Sequence, residues 1–248
     1  MFVENVVDKE YWNLSYANLD LQIVPKEDDV RKFLEHNYYI QENKLGSCFE
    51  IGAYPGRYLA VFGELGYQLN GIDQNEFVAT RLPEWLNKSG YNVGFFEQSS
   101  IETFAINQKF NMVYSIGFIE HFKNYEQVIL KHLDFMADDG TLFISVPNFK
   151  GLAQRILHSL VDRENLNRHV LESMNPQKWA KLLLVNGVDV KSFGYFGGFD
   201  FWVDNQPRNI FQRGLLKAIF KLRPILKKIL KKDSSIYSAY CYIIAKKV

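Results

Sequence analysis

Acidic residues flank a glycine-rich stretch in the first third of the chain. Glu50 precedes Gly52 and Gly56, and Asp73 follows about twenty residues later. Gly52 lets the backbone approach a ligand closely, Gly56 opens the next helix, and the Asp73 carboxylate can accept both hydroxyls of a ribose. A dinucleotide site would instead need the spacing G-x-G-x-x-G and no carboxylate facing its pyrophosphate. These residues predict a site for an adenosine ligand without phosphates.

Residues 46–146 alternate short β-rich runs with helical segments, and these elements must position the acidic residues. The predicted strands are 46–51, 67–72, 93–97, 112–116 and 141–146, the last after the turn Asp138–Gly140, with helices over 56–65, 76–88 and 125–136. Strands separated by helices pair in parallel through right-handed crossovers. We therefore predict a doubly wound α/β sheet that binds its ligand at the carboxyl ends of the strands.

The alternation of strands and helices becomes less regular beyond the fifth predicted strand. Asn175 and Pro176 predict a helix start, because an N-cap residue is followed by proline in the first turn, and Gly187 is placed to end that helix. Two more strands are predicted at 188–195 and 236–245. Since the chain has no internal repeat and no Ser- or Gly-rich linker, we predict one domain.

Two segments resemble the class I S-adenosylmethionine-dependent methyltransferases. The family's first motif runs acid-x-Gly-x-Gly-x-Gly, and Glu50–Gly56 is similar to it, with Tyr54 where the family usually has its middle glycine. Ser115–Phe122 is similar to the family's fourth strand followed by a hydrophobic pair and Glu-His. The likeness covers about residues 46–146, and it looks like the bacterial O-methyltransferases of small molecules and glycans. S-adenosylmethionine has no phosphate, and its ammonium and sulfonium suit the Glu50 carboxylate.

The resemblance implies a Rossmann-like sheet of seven mostly parallel strands, an antiparallel last strand and a helical insertion before it. It divides residues 1–248 into an N-terminal helical cover (1–45), a cofactor-binding core (46–146) and a substrate-side half (147–248) with the insertion at 204–233. Ser100 stands where the family tends to place an acid near the adenine. The implied cofactor-binding residues are Glu50, Gly52, Ala53, Tyr54, Gly56, Asp73, Gln98, Ser99, Ser100, Ile101, Ser115, Ile116 and Gly117.

Methyl transfer is an in-line displacement, so the enzyme mainly has to align the acceptor with the methyl group. An alcohol acceptor would need a general base, for which His121 and His169 are the candidates. His121 is equally compatible with packing or capping at a helix start. The acceptor-binding candidates are Tyr11, Tyr16, Glu120, Asn148, Tyr195 and Trp202, and these aromatic residues are also compatible with a core position. No cluster of Asp, Asn or His has metal-ligand spacing, which predicts a metal-independent enzyme.

The insertion carries nine basic residues between Arg208 and Lys232 with no acid among them, and apolar residues recur at helical spacing. This pattern predicts a basic amphipathic helix that is bent or broken near Pro224. Such a helix could lie on an anionic membrane surface, or it could pack its apolar face on the sheet or on a second subunit in a homodimer. Nucleic-acid binding is disfavoured because no aromatic stacking platform is interleaved with the bases.

The bulk composition excludes other classes. A formal net charge of +1 is not that of a basic nucleic-acid binder, and the first residues resemble neither a signal peptide nor a membrane anchor. Cys48 and Cys241 lie in predicted strands, so we expect buried thiols, no disulfide and a cytoplasmic protein, with peripheral contact at the inner face of the membrane if the basic helix binds lipid.

Three hypotheses of function remain. The first is methyl transfer to an oxygen of a small-molecule or glycan acceptor. The second is methyl transfer to a lipid-linked or quinone-type acceptor at the membrane surface. The third is a non-catalytic nucleoside-binding protein with the same fold.

Overall fold

The computed structural model describes residues 4–42 and 46–247, and its seven strands form one sheet. The strands are β1 Ser47–Ile51, β2 Gln68–Asp73, β3 Val93–Gln98, β4 Phe110–Ile116, β5 Met136–Pro147, β6 Val188–Phe199 and β7 Ser238–Lys247. Side by side, their order is β3-β2-β1-β4-β5-β7-β6. β1 to β5 pair in parallel, and β7 is antiparallel to both β5 and β6. The predicted seven-stranded fold with an antiparallel last strand is confirmed.

Helices cover both faces of this sheet. They are α1 Lys9–Tyr16, α2 Asp29–His36, α3 Tyr38–Gln41, α4 Leu59–Glu64, α5 Arg81–Lys88, α6 Tyr125–Leu133, α7 Leu152–Val161, α8 Arg163–Asn167, α9 Pro176–Val185 and α10 Ile210–Ile229, with 3-10 turns at Glu76–Ala79, Ile119–His121 and Leu171–Ser173. α2, α4 and α5 pack on one face, and α6 and α9 on the other. Because both faces are covered, the central strands are buried almost throughout, as parallel strands usually are.

Several element boundaries differ from the predicted ones. The predicted helix 76–88 is a 3-10 turn followed by α5, because Thr80 between them has φ −123° and ψ −78°, outside the helical region. The predicted helix 125–136 ends at Leu133, and β5 already begins at Met136. The turn predicted at 138–140 is an irregularity inside β5, where Asp139 has φ 60° and the register against β4 shifts. β6 runs four residues beyond its predicted end at Tyr195.

The two cysteines lie inside strands, as predicted. Cys48 is on β1 and Cys241 on β7, and both thiols are free and buried. The predicted cover, 1–45, is described here from residue 4 to residue 42, so residues 1–3 and 43–45 lie outside the described part of the chain.

The helix of the insertion is continuous. α10 runs through Pro224, so the predicted break is wrong, and the exposed position of Pro224 leaves solvent to satisfy the carbonyl that proline deprives of a donor. One face of α10 packs through Ile219 against Val161 of α7 and against Phe199 and Phe201 at the end of β6. The packing of this helix on its own chain is therefore observed.

Between residue 4 and residue 247, with 43–45 left aside, no helix has the length and hydrophobicity that crossing a bilayer requires.

Candidate functional site

Parallel strands bring their carboxyl ends to one edge of the sheet, and a cleft opens there between β1, β2, β3 and β4. Its walls include Ile51, Gly52, Tyr54, Asp73, Ser99, Ser100, Ile101 and Gly117 from the strand ends, His121 from the turn after β4, and Trp12 and Tyr16 from α1. We call it the nucleoside cleft.

Asp73 ends β2 with its carboxylate on the wall of the nucleoside cleft. Oδ2 accepts the backbone N–H of Tyr54 at 3.0 Å, and Oδ1 accepts that of Asn75 at 2.8 Å. Each carboxylate oxygen keeps a further lone pair for a ligand. Burial raises the pKa of Asp73 to about 6, so the group is ionised at neutral pH and can accept two hydroxyls.

The glycines beside Asp73 have backbone shapes that other residues rarely adopt. Gly52 has φ 80°, and a Cβ there would lie 2.6 Å from the ring of Phe118. Gly117, after β4, has φ 68° and also lines the nucleoside cleft. These two positions keep the floor of the site open to a ligand.

Tyr54 lines the nucleoside cleft at the position where the resemblance implied a glycine. Its ring lies edge-on to the Tyr16 ring, with 5.7 Å between the two centroids. Within the described residues, the buried Tyr54 hydroxyl has no hydrogen-bond partner.

The second cleft adjoins the first and shares Tyr16, Gly52, Tyr54 and Gly117 with it. We call it the zwitterion cleft because Glu50 and Arg57 both line it. The Glu50 carboxylate accepts the Tyr114 hydroxyl at 3.2 Å, and burial raises its pKa well above the usual range. A cation is needed to keep such a carboxylate ionised, and a carboxylate ligand would suit Arg57.

Other predicted cofactor residues also lie on these walls. Ala53, Gly56 and Ile116 line the zwitterion cleft, and Ser99, Ser100 and Ile101 line the nucleoside cleft after β3. The Ser100 hydroxyl lies 2.9 Å from that of Thr103, which fixes the turn that carries it.

Two predicted cofactor residues lie elsewhere. The Ser115 hydroxyl is fully buried and lies 3.0 Å from His132 Nε2, on the core side of β4. Gln98 is exposed, and its amide donates to the carbonyl of Gln74. Neither side chain lines the nucleoside cleft or the zwitterion cleft, since successive side chains of a strand point to opposite faces.

Some of the predicted acceptor-binding residues line a cleft, and others do not. Tyr16 lines both clefts and Trp202 lines the zwitterion cleft. Asn148 is buried, and its side chain donates to the carbonyls of Ser235 and Ser238, which makes it a structural residue. Tyr195 packs on the core cluster below the sheet and lines neither cleft.

The Tyr11 side chain contacts other residues of the chain and lines neither cleft. Its hydroxyl donates to Asp204 Oδ2 at 3.3 Å, and the Arg168 guanidinium lies 4.6 Å above its ring while also pairing with Asp204. Its neighbour Trp12 reaches the nucleoside cleft instead, with its ring 5.0 Å from that of His121. Tyr11 therefore anchors the cover, and Trp12 and Tyr16 form the wall.

The buried residues Glu120 and His121 form one cluster with the half-buried His169, although His169 is 48 positions beyond His121 in the sequence. His121 Nε2 lies 4.0 Å from Glu120 Oε1, and the two imidazole rings are 4.8 Å apart between centroids. Burial raises the pKa of Glu120 to about 8 and lowers that of His121 to about 4 and that of His169 to about 3. Both imidazoles are therefore neutral at physiological pH.

Sequence reasoning missed Arg57 and the clustering of Glu120 with His169. Arg57 gave a signal, since it directly follows Gly56 in the glycine-rich stretch. The cluster gave none, because only the folded chain brings the turn after β4 next to the segment after α8.

Comparisons with known proteins agree with this fold. A family model described as "Methyltransferase domain" matches residues 26–192. The chain is similar to (S)-coclaurine N-methyltransferase of Papaver somniferum, at 25% identity over 134 residues. That match covers 50% of this chain and only 38% of the length of the curated relative.

Two solved structures illustrate the shared fold. A SAM dependent methyltransferase from Archaeoglobus fulgidus aligns with a TM-score of 0.56 and 18% identity, over 97% of this chain and 100% of that one. Magnesium protoporphyrin IX methyltransferase from Synechocystis PCC 6803, solved with bound SAH, aligns with a TM-score of 0.55 and 12% identity, over 96% and 93% of the two chains.

Proposed function

The chain belongs to the class I S-adenosylmethionine-dependent methyltransferase family, and we propose that it transfers the methyl group of S-adenosylmethionine to an oxygen of a small-molecule or glycan acceptor. The observation that carries the proposal is His121 at the wall of the nucleoside cleft, with its Nε2 4.0 Å from Oε1 of the buried Glu120. A hydroxyl brought to this wall finds lone pairs for its proton.

The residues of the two clefts fit S-adenosylmethionine, which supplies a methyl group made electrophilic by its sulfonium. Asp73 would hold the ribose hydroxyls with the lone pairs that Tyr54 and Asn75 leave free. Glu50 and Arg57 would hold the ammonium and the carboxylate of the methionine part. A phosphate-bearing nucleotide fits less well, because two buried carboxylates face the clefts.

The acceptor side is walled by aromatic rings. Trp12 lines the nucleoside cleft 5.0 Å from His121, and Trp202 lines the zwitterion cleft 5.3 Å from Tyr240, both distances between ring centroids. Flat, apolar rings with polar edges bind the faces of sugars and of planar small molecules. Such walls exclude water and align the acceptor, which is the main requirement of an in-line displacement.

A methyl-transfer assay with radiolabelled S-adenosylmethionine tests the proposal on pairs of acceptors that differ only in a hydroxyl or an amine. We expect labelled product from hydroxyl acceptors, and Glu120→Gln should lower the rate about 100-fold. Glu120 lines neither cleft, so this variant should bind S-adenosylmethionine as the parent does. Glu126→Gln on α6, exposed and outside the site, is the matched control.

Transfer to the amine acceptors alone would contradict oxygen as the methylated atom. The similarity to an N-methyltransferase makes nitrogen the other atom to test. The third hypothesis, a non-catalytic nucleoside-binding protein, is disfavoured by membership of an enzyme family.

The second candidate function, methylation of a lipid-linked acceptor at the membrane, is favoured by the outer face of α10. Phe211, Leu222, Ile225 and Ile229 recur at helical spacing on that face, each more than half exposed. Six basic residues on this helix and just after it are also exposed: Arg213, Lys217, Lys221, Lys228, Lys231 and Lys232. An apolar stripe together with exposed cations suits an anionic lipid surface.

Vesicle flotation tests this candidate with anionic and with neutral lipid. We expect flotation with anionic vesicles and its loss in the variant Phe211→Asp/Ile225→Asp. Val185→Asp replaces an apolar residue that is 82% exposed on α9, and it serves as the control for an added charge. Equal flotation of the parent and the double variant would contradict the membrane hypothesis, and a dimer detected by light scattering would point to a second copy on this face instead.

A further inference from the structure

We propose that Glu120, His121 and His169 form a site for a divalent transition-metal ion of the zinc type. One ligand atom from each residue lies within 4.8 Å of those from the other two. Two imidazoles and one carboxylate are a donor set that zinc and similar borderline ions prefer. The sequence predicted a metal-independent enzyme because no two of its motifs show metal-ligand spacing, but the fold joins residues that the sequence separates.

The backbone holds the two halves of this cluster together. Glu120 and His121 lie in the 3-10 turn after β4, and His169 lies just after α8. The backbone N–H of Val170 donates to the carbonyl of Glu120 at 2.7 Å, which ties the two segments directly beside the three side chains. A metal site needs ligands held on such fixed backbone.

Each imidazole is oriented by a main-chain carbonyl. His121 Nδ1 lies 2.9 Å from the carbonyl of Arg168, and His169 Nδ1 lies 2.7 Å from the carbonyl of Asn165. A carbonyl can only accept, so Nδ1 carries the hydrogen in both rings and Nε2 is left with a lone pair. Metal-binding histidines are typically oriented in this way by a carbonyl on the other ring nitrogen.

An independent observation points to a cation. Glu120 is 1% exposed, and within the described residues neither of its carboxylate oxygens has a hydrogen-bond partner. The guanidinium of Arg168, which precedes His169 in the chain, pairs with Asp204 and lies over the Tyr11 ring. A buried carboxyl group without a hydrogen-bond partner is costly, and it lies beside imidazoles that also offer lone pairs. A divalent cation satisfies all three groups at once.

The position of the cluster suggests a role for the ion. His121 lines the nucleoside cleft, so the ion would lie at its wall. A metal ion binds a hydroxyl through its oxygen and lowers the pKa of that hydroxyl. The cluster would then act on the acceptor through the ion and not through a bare imidazole. This role rests on the proposed function, whereas the ion site rests only on the three side chains.

Titration of the chelator-treated full-length protein with Co²⁺, followed by visible absorbance and by competition with Zn²⁺, tests the site. We expect one ion per chain and an absorbance band that Zn²⁺ abolishes. His169→Ala and the nearly isosteric Glu120→Gln should each weaken Co²⁺ binding more than about tenfold. His36→Ala removes an exposed histidine on α2 and should leave the affinity unchanged.

Calorimetric titration with S-adenosylmethionine on the same samples separates the two proposals. No Co²⁺ binding, or the same affinity in the parent and in both variants, overturns the metal site, whatever the result with S-adenosylmethionine. Metal binding lost in Glu120→Gln, in a variant that still binds S-adenosylmethionine, supports the site and shows that the fold is intact. Metal binding by a protein that does not bind S-adenosylmethionine leaves the metal site standing and overturns the proposed function.

Discussion

The two clefts differ in the charges that they present. The nucleoside cleft offers the Asp73 carboxylate, and the zwitterion cleft offers Glu50 together with Arg57. Carboxylates accept hydroxyl and ammonium hydrogens, whereas a guanidinium binds a carboxylate. The charges therefore match the parts of S-adenosylmethionine one by one, and each match can be tested with a ligand that lacks that part.

Arg57→Met should weaken the binding of S-adenosylmethionine about tenfold, since it removes the partner of the ligand carboxylate. The same change should leave the binding of 5′-methylthioadenosine unaltered, because that ligand lacks the amino-acid group. Calorimetric titration measures both, and Arg213→Met on the exposed side of α10 is the control. Equal losses for the two ligands would contradict the role given to Arg57.

At the residue scale, the sequence predicted what is local. Glu50, Gly52 and Asp73 were found because a strand end and a glycine spacing place them together without knowledge of the tertiary fold. The sequence did not show that the Ser115 side chain is buried against His132, because the face on which a strand residue lies depends on the folded sheet. The clustering of Glu120 with His169 was missed because it depends on a contact between distant segments.

The junction between α7 and α8 is held by one buried carboxylate. Asp162 is fully buried and accepts from His158 at 3.0 Å, Asn165 at 2.7 Å and Gln206 at 2.7 Å, and it forms an ion pair with Arg208 at 3.0 Å. Burial alone would raise the pKa of Asp162, but the hydrogen bonds from His158 and Asn165 outweigh it and hold the pKa below the usual value. This carboxylate ties the start of the insertion to the helix pair that ends beside His169.

Asp162→Asn should lower the free energy of unfolding by about 2–3 kcal/mol, because it leaves buried donors without their charged partner. The folded pKa is depressed, so the contribution of Asp162 is present above about pH 4 and is lost as the pH falls below it. The difference between parent and variant should therefore narrow in acid. Urea denaturation at neutral and acidic pH measures it.

Asp189→Asn is the control for that measurement. Asp189 pairs with Lys191 at the surface, where an ion pair contributes less than about 1 kcal/mol. Equal losses in the free energy of unfolding for the two variants would contradict the stabilising role given to Asp162.

At the element scale, the insertion shows where pattern reasoning stops. Basic and apolar residues at helical spacing predicted α10, and its packing on α7 and on the end of β6 agrees with one of the alternatives drawn from that pattern. The pattern did not show which basic residues form ion pairs within the chain. Arg223 and Lys227 pair with Asp200, and Arg208 with Asp162, whereas the other basic residues of this helix stay exposed.

At the scale of the whole molecule, the order of strands and helices carried most of the prediction. Alternating elements over residues 46–146 predicted a doubly wound sheet, because parallel strands with right-handed crossovers have few other arrangements. The position of the N-terminal segment is harder to predict from the sequence. The backbone N–H of Val6 donates to the carbonyl of His121 at 2.8 Å, and the Trp12 ring lies 5.0 Å from that of His121. These contacts join the N-terminal segment to the site, and the sequence does not reveal them.

The central claim is that the nucleoside cleft binds S-adenosylmethionine through Asp73. Calorimetric titration of the parent and of Asp73→Asn at about pH 7.5, where a carboxyl group with a pKa of about 6 is ionised, tests it most directly. We predict binding of one S-adenosylmethionine per chain, weakened at least about tenfold in the variant. No binding by the parent, or equal affinity in the two proteins, would contradict the claim.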